Sequence, residues 1–265
     1  LANNNNSRGA TMRLPAISLF ATLIATGTML NPAHADQIKI ATDATFPPFE
    51  SVDAGGKVVG YDVELMEAIC EAAKLDCNIF NAAWDGMIPG LIDGKYDALI
   101  SQLTVTDKRR QVIAFSDIYS HPTFRFVAKK GAGLDITPEG LAGKIIAVQT
   151  GTPMDAYVTA HFPQATIKRY DSGSAPYLEL SAGRADLHIS YQAQIIHSFL
   201  KSDSGKDFEL VGPQLTGKDA KEFGEGVAIA INKKNVALVE EINKGLAAVR
   251  ESGKLDALNA KYFGE

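Results

Sequence analysis

Residues 83–110 read AWDGMIPGLIDGKYDALISQLTVTDKRR, and this stretch decides the fold. Trp84 to Ile92 reads as a short helix and Tyr96 to Ile100 as a strand, with the turn Asp93-Gly-Lys-Tyr-Asp97 between them. Past the strand come Ser101, Thr104 and Arg109, polar side chains at the strand end where open α/β folds bind ligands. The same signature returns at Ala182-Gly-Arg-Ala-Asp186, between a helical stretch over 174–182 and a strand from Leu187 to Ser190. A helix, a Gly-basic-x-Asp turn and a strand, met twice, predict two α/β lobes.

The flanking pattern agrees. Gln37 to Thr42 alternates like a strand and runs into Asp43-Ala-Thr-Phe-Pro-Pro-Phe49, where Pro47 and Pro48 forbid a helix. Tyr61 to Ala73 has the helical period through Val63, Leu65, Met66, Ile69 and Cys70, and Cys77 to Phe80 is a short strand. Thr123 to Lys129 reads as a long buried strand leaving the first unit. Leu141 to Val148 reads as a helix end, a turn and a strand, 165–170 as another strand, with a helix over 154–159 that has Pro153 in its first turn. Gly226 to Ile231 returns the chain, Val236 to Glu251 is an amphipathic helix, and Leu255 to Tyr262 closes it. The expected class is α/β, each lobe a mostly parallel sheet flanked by helices and the two joined by a two-strand hinge. The first lobe combines 36–124 with 225–265; the second is 125–224.

At the other end, Arg8 and Arg13 precede an apolar run from Leu14 to Leu30 that exits at Ala33-His34-Ala35. A basic start, a short greasy core and a small-x-small exit describe an export leader over 1–35. Ser18, Thr22, Thr26, Gly27 and Pro32 make the run a poor spanning helix. The leader points to the periplasm, and with no cysteine at its junction for a lipid anchor, to a free monomer there. The net charge of −5, with Lys and Arg scattered, gives no nucleic-acid footprint.

Cys70 and Cys77 fall in one short stretch, and in an oxidising compartment they read as a disulfide. A metal site would need further ligands beside them, and His121, His161, His188 and His197 have no ligand spacing, so no metal is expected. No GxSxG, GxGxxG or GxxxxGK[ST] motif stands after a strand, and the acidic residues are many but unspecific. No catalytic residue and no cofactor is expected, and the chain reads as a binder.

Asp43, Ser101, Thr104, Arg109 and Thr152 all follow predicted strand ends. A guanidinium in a cleft grips a carboxylate through two parallel hydrogen bonds, which lysine cannot copy. Gly151-Thr152-Pro153, ahead of a helix, offers amides to the same anion, and Phe46, Phe49 and Trp84 offer apolar walls.

These residues carry a likeness. ATDATFPPFE at 41–50, VGYDVELMEAIC at 59–70, the 83–110 stretch, VIAFSDIY at 112–119 and ESGKLDALNAKYFG at 251–264 occur in an order that resembles the periplasmic solute-binding proteins of polar amino-acid ABC transporters. The lysine/arginine/ornithine, histidine and opine binders are the nearest in kind. The resemblance implies the two-lobed periplasmic binding protein fold, closure on a ligand, and docking on an inner-membrane permease. It also implies that Arg109 binds the ligand carboxylate with support from Thr104 and the Gly151–Thr152 loop. Asp43 would receive a distal cationic group, Phe46 and Trp84 would sandwich the ligand side chain, and Ser101 and Gln102 would precede the hydroxyl of Thr104. The Cys70–Cys77 pair matches a disulfide of the family.

Two positions depart from the family pattern. Where an aspartate receives the ligand's α-ammonium, this chain has Tyr191, and where threonine is common in the helix-start loop it has Pro153, which has no N–H to donate. A buried ammonium without a carboxylate costs several kcal/mol, so Tyr191 bears on the ligand. The expected ligand is a cationic amino acid or an arginine-like derivative. The alternatives are an N-substituted amino acid such as an opine, a polar neutral amino acid, or, in another class, a dehydratase-like enzyme on the same scaffold.

Overall fold

The computed structural model describes residues 37–264, so the leader expected over 1–35 lies outside the described residues. The first run of elements is β1 (Ile38–Thr42), β2 (Thr45–Phe46), β3 (Glu50–Val52), β4 (Val58–Val59), α1 (Tyr61–Ala73), β5 (Cys77–Asn81), α2 (Trp84–Ile92), β6 (Ala98–Leu99), α3 (Asp107–Arg110) and β7 (Ala114–Phe115). The second run is β8 (Phe124–Lys129), β9 (Ile145–Gln149), α4 (Pro153–His161), β10 (Thr166–Tyr170), α5 (Ala175–Ser181), β11 (Leu187–Tyr191) and α6 (Gln192–Gln194). A π-helical turn over Ile195–Leu200 continues α6 and leads to β12 (Phe208–Leu215). The chain then closes through β13 (Ala230–Ile231), α7 (Val236–Glu251) and α8 (Lys254–Phe263).

Two five-stranded sheets result, ordered β5-β1-β6-β13-β7 and β10-β9-β11-β8-β12. In each sheet four strands run one way and a single strand, β13 in the first and β8 in the second, runs against them. The parallel pairings are the strand–helix–strand units read from the sequence. The antiparallel pairings make both sheets mixed; β8 matches the long strand read over Thr123 to Lys129, whereas β7 and β13 have two residues each and β12 is interrupted by a register shift. β13 covers only the last residues of the expected 226–231 strand, and Val227 makes isolated bridges to Thr104 and Ser120. β12 and the small β2-β3-β4 sheet carry no period-2 pattern that would reveal them.

The repeated turn has a structural cause. The Asp97 carboxylate accepts from the Lys39 amide at 2.8 Å while the Asp97 amide donates to the Lys39 carbonyl. Asp186 does the same with Ile145, accepting from its amide at 2.7 Å and donating to its carbonyl. Each aspartate thus ties the start of its own strand to a parallel neighbour, so both belong to the fold.

α1 buries Tyr61, Val63, Leu65, Met66, Ile69 and Cys70, and α7 buries Leu238, Ile242, Leu246 and Val249, stripes at helical spacing. The helices meet at Gly245, where an added Cβ would sit 2.6 Å from the Ile69 carbonyl oxygen. Cys70 and Cys77 form the expected disulfide, which ties the end of α1 to the start of β5. Its small loop contributes about 2 kcal/mol through the unfolded chain, so a Cys70→Ser, Cys77→Ser double variant is expected to lose about that much in denaturant unfolding and keep its ligand affinity. An unchanged midpoint would contradict this.

Candidate ligand-binding site

The C-terminal ends of β1 and β6 face those of β9 and β11, and most of the expected site residues meet there. Between them lies a cavity lined by Asp43, Phe46, Glu50, Trp84, Ser101, Gln102, Gln149, Thr152, Pro153, Met154 and Tyr191. Its free volume is about 20 Å³, room for one water molecule, so an amino acid enters only when the two sheets part.

Asp43, just past β1, is 4% exposed. Its carboxylate accepts from Thr45 Oγ1 at 2.9 Å and, across the cleft, from Gln149 Nε2 at 2.8 Å. Burial raises its pKa and these hydrogen bonds oppose the rise. Ser101 Oγ accepts from the Asp43 amide at 3.0 Å and donates to Glu50 at 2.9 Å, so its proton is already committed. Gln102 has a φ of +46°, a left-handed conformation held by Asp62, which accepts from both its amide and its Nε2.

Arg109 does not line this cavity but a cleft beside it, which shares Thr152 and Pro153 with the cavity. Thr106 caps α3 by accepting from the Arg109 amide, which fixes the direction of the side chain. The guanidinium donates to the Thr104 carbonyl at 2.9 Å, reaches the Gly151 carbonyl at 3.5 Å, and stands 5.5 Å from the centre of the Trp84 ring. Arg109 is 8% exposed, and among the described residues no carboxylate lies within ion-pair distance of it. Burial lowers its pKa to about 10, which leaves it cationic at neutral pH.

The helix-start loop differs from its expected role as an amide donor. The Gly151 amide donates to Asp155 Oδ2 at 3.0 Å, and Asp155 is in turn held by Arg169. With φ +70°, Gly151 turns its carbonyl toward Arg109. Thr152 caps α4, donating to the Gln149 carbonyl and accepting from the Asp155 amide. Pro153 begins the helix, one residue before its expected start at Met154.

Tyr191 ends β11, 2% exposed, and its ring meets Phe46 edge-on at 5.6 Å and Phe124 at 4.8 Å. Its hydroxyl donates to the Gln102 carbonyl at 2.9 Å; having one proton, it must accept from Thr104 Oγ1 at 2.7 Å. Tyr191 therefore fastens one side of the cleft to the other. Thr45 does likewise by accepting from the Gly173 amide at 3.0 Å. Seven expected residues line the cavity, namely Asp43, Phe46, Trp84, Ser101, Gln102, Thr152 and Tyr191; Thr104 does not, and Arg109 and Gly151 line a neighbouring cleft that shares Thr152 and Pro153 with it. Glu50, Gln149 and Met154 were not singled out from the sequence. Only Glu50, within the FPPFE segment, carried a usable signal there: an acid directly after a proline-rich strand-end loop.

Residues 38–265 match the family model of bacterial extracellular solute-binding proteins, family 3. The chain belongs to this family. The receptor is 37% identical over 228 residues to the L-arginine-binding protein of Pseudomonas aeruginosa, covering 85% of this chain and 87% of that one. It is 35% identical over 250 residues to the lysine/arginine/ornithine-binding periplasmic protein of Escherichia coli, covering 94% and 95%. A solved Salmonella typhimurium periplasmic binding protein, described for its high arginine specificity, superposes with a TM-score of 0.79 at 31% identity, covering 86% of this chain and 99% of that one. These are solute receptors that act outside the cytoplasm, which is where the sequence placed this one. No helix among the described residues is long and apolar enough to cross a membrane.

Proposed function

We propose that this receptor captures a cationic amino acid or an arginine-like derivative between two lobes and delivers it to an ABC permease. The observation that carries the reading is Arg109, a buried guanidinium with no carboxylate within ion-pair distance among the described residues. A buried cation without a counter-ion is costly, and a ligand carboxylate removes that cost. In the cavity, Asp43 offers a carboxylate to a distal cation, and Phe46 and Trp84 offer faces to an alkyl or guanidinium chain. The names of the relatives support the same ligand class.

One lobe combines 36–124 with 225–265 and the other is 125–224, the two sheets being their cores. Closure about the 124–125 and 224–226 crossings is driven by a ligand that touches both sides at once. One chain suffices because both walls of the site come from it, so the receptor works as a periplasmic monomer. A second reading, a ligand with a substituted α-nitrogen, is favoured by Tyr191, whose neutral hydroxyl stands where the family pattern has an ammonium-binding aspartate.

A thermal-shift screen over arginine, lysine, ornithine, histidine, glutamine and opines tests both, since a ligand that binds only the folded state raises the midpoint. Arginine or lysine is expected to give the largest shift; a shift by opines alone would favour the second reading, and no shift by any would sink both. Asp43→Asn is expected to weaken cationic ligands by about 1.5–3 kcal/mol and leave neutral ones within about 0.5 kcal/mol, measured by calorimetry. Equal losses for both kinds would remove Asp43 from its role.

A further inference from the structure

Beside the ligand cavity lies a pair of buried acids that ligand capture does not by itself require. Glu50 and Asp62 are both 0% exposed. Ser101 and Gln102, neighbours in the chain, hold one acid each, Ser101 donating to Glu50 and Gln102 to Asp62, and two ionised carboxylates crowded under one loop would repel. Their surroundings are unequal. Asp62 accepts from the Gln102 amide at 2.7 Å, from Gln102 Nε2 at 2.8 Å and from Tyr119 Oη at 2.9 Å. Glu50 accepts only from Ser101 Oγ, and its Oε2 has no donor. Three donors favour the charge on Asp62, and the lone Oε2 is where a proton makes a bond instead of a clash.

We propose that Glu50 is held protonated, donates to Asp62, and with it forms a positioning pair that shapes the 101–104 binding loop. The ionised Asp62 keeps Gln102 in its left-handed conformation by gripping both the backbone and the side chain. That conformation aims the Gln102 carbonyl at Tyr191 and holds Thr104, whose carbonyl receives Arg109. Ser101 links the pair to the Asp43 amide, so the geometry of both expected ligand-gripping residues passes through it. The titratable groups facing the pair are Asp43 from the end of β1, Tyr61 from α1, Tyr119 from the segment after β7, and Tyr191 from β11. None is a cation. Beyond these tyrosines stand two cations, Arg109 beside Tyr191 and Arg250 beside Tyr61. Burial and the mutual repulsion of the acids accordingly push the Glu50 pKa up.

The positioning role rests on the ligand site proposed above, while the shared proton does not, so the test has two arms. In the first, NMR follows isotope-labelled glutamate side-chain carboxyls without ligand. One resonance is expected to keep the protonated shift at neutral pH and to be missing in Glu50→Gln. If every glutamate carboxyl is ionised at neutral pH, the proposal is overturned. In the second, calorimetry with arginine compares the variants. Glutamine at 50 can donate to Asp62 and accept from Ser101 as a protonated carboxyl does, so Glu50→Gln is expected to bind within about threefold of the parent and to lose less affinity as pH rises. Asp62→Asn removes the charge that holds Gln102 and is expected to bind at least about tenfold more weakly while remaining folded. Equal losses in the two variants, or an unchanged pH profile in Glu50→Gln, would overturn the positioning role. A parent protein that binds none of the amino acids would overturn the ligand reading and leave the NMR arm standing.

Discussion

Arg109→Ala is expected to weaken amino-acid binding by about 2–5 kcal/mol, between about thirtyfold and a few thousandfold. Arg109 is 8% exposed, and its guanidinium donates to the Thr104 and Gly151 carbonyls and stands against the Trp84 ring. A ligand carboxylate entering beside it gains a charge-assisted, two-pronged partner, and alanine leaves that carboxylate buried with none. Arg109→Lys keeps the charge but not the fork, and should fall between the two. Stability separates this role from a merely structural one. The folded protein carries an uncompensated buried cation, so removing it should leave the melting temperature unchanged or raise it. Calorimetry with arginine and a thermal melt of the same sample check both statements. An affinity loss under tenfold, or a large drop in melting temperature, would count against Arg109 as the carboxylate grip.

Gly60→Ala should lose about 3–5 kcal/mol of stability in denaturant unfolding. Gly60 precedes α1 with φ +138°, and a Cβ there would lie 2.2 Å from the Phe49 carbonyl oxygen and 2.9 Å from Glu50 Cα. Those are backbone atoms and cannot swing aside. The close approach lets the Tyr61 and Asp62 amides donate to the Pro48 and Phe49 carbonyls, which brings Asp62 under the binding loop. The variant should therefore lose ligand affinity together with stability. Gly94→Ala is the control: φ is +77°, but nothing lies within 4 Å of its added Cβ, so only the backbone strain of about 1 kcal/mol is expected. If the two variants lose the same amount, steric approach at Gly60 is not the cause.

Much of the architecture was legible because it is written in local periodicity. The spans of α1, α2 and α7 agree with the sequence reading residue for residue, since each has an apolar stripe at helical spacing with clear ends. The repeated Gly-basic-x-Asp turn identified a true structural equivalence, because Asp97 and Asp186 make the same pair of bonds to a neighbouring strand. Three strands of the antiparallel pairings were less visible. β7 and β13 have two residues each, too few for a period, and β12 carries Gly212 and Pro213 within it.

The sequence by itself determined the α/β class, the two-unit repeat, the disulfide partners and the polar residues that follow each strand, for these depend on spacing along the chain. Only the tertiary structure decided which groups are left unpaired. Arg109 lies beside the cavity without a counter-ion, the Gly151 amide is taken by Asp155, and Tyr191 is bonded to Gln102 and Thr104. Glu50 and Asp62, 12 positions apart in the chain, are both buried beneath the 101–102 loop, each bonded to one of its residues. The reason is physical: hydrogen-bond partners and desolvation are properties of a neighbourhood, and here strands far apart in the chain assemble that neighbourhood.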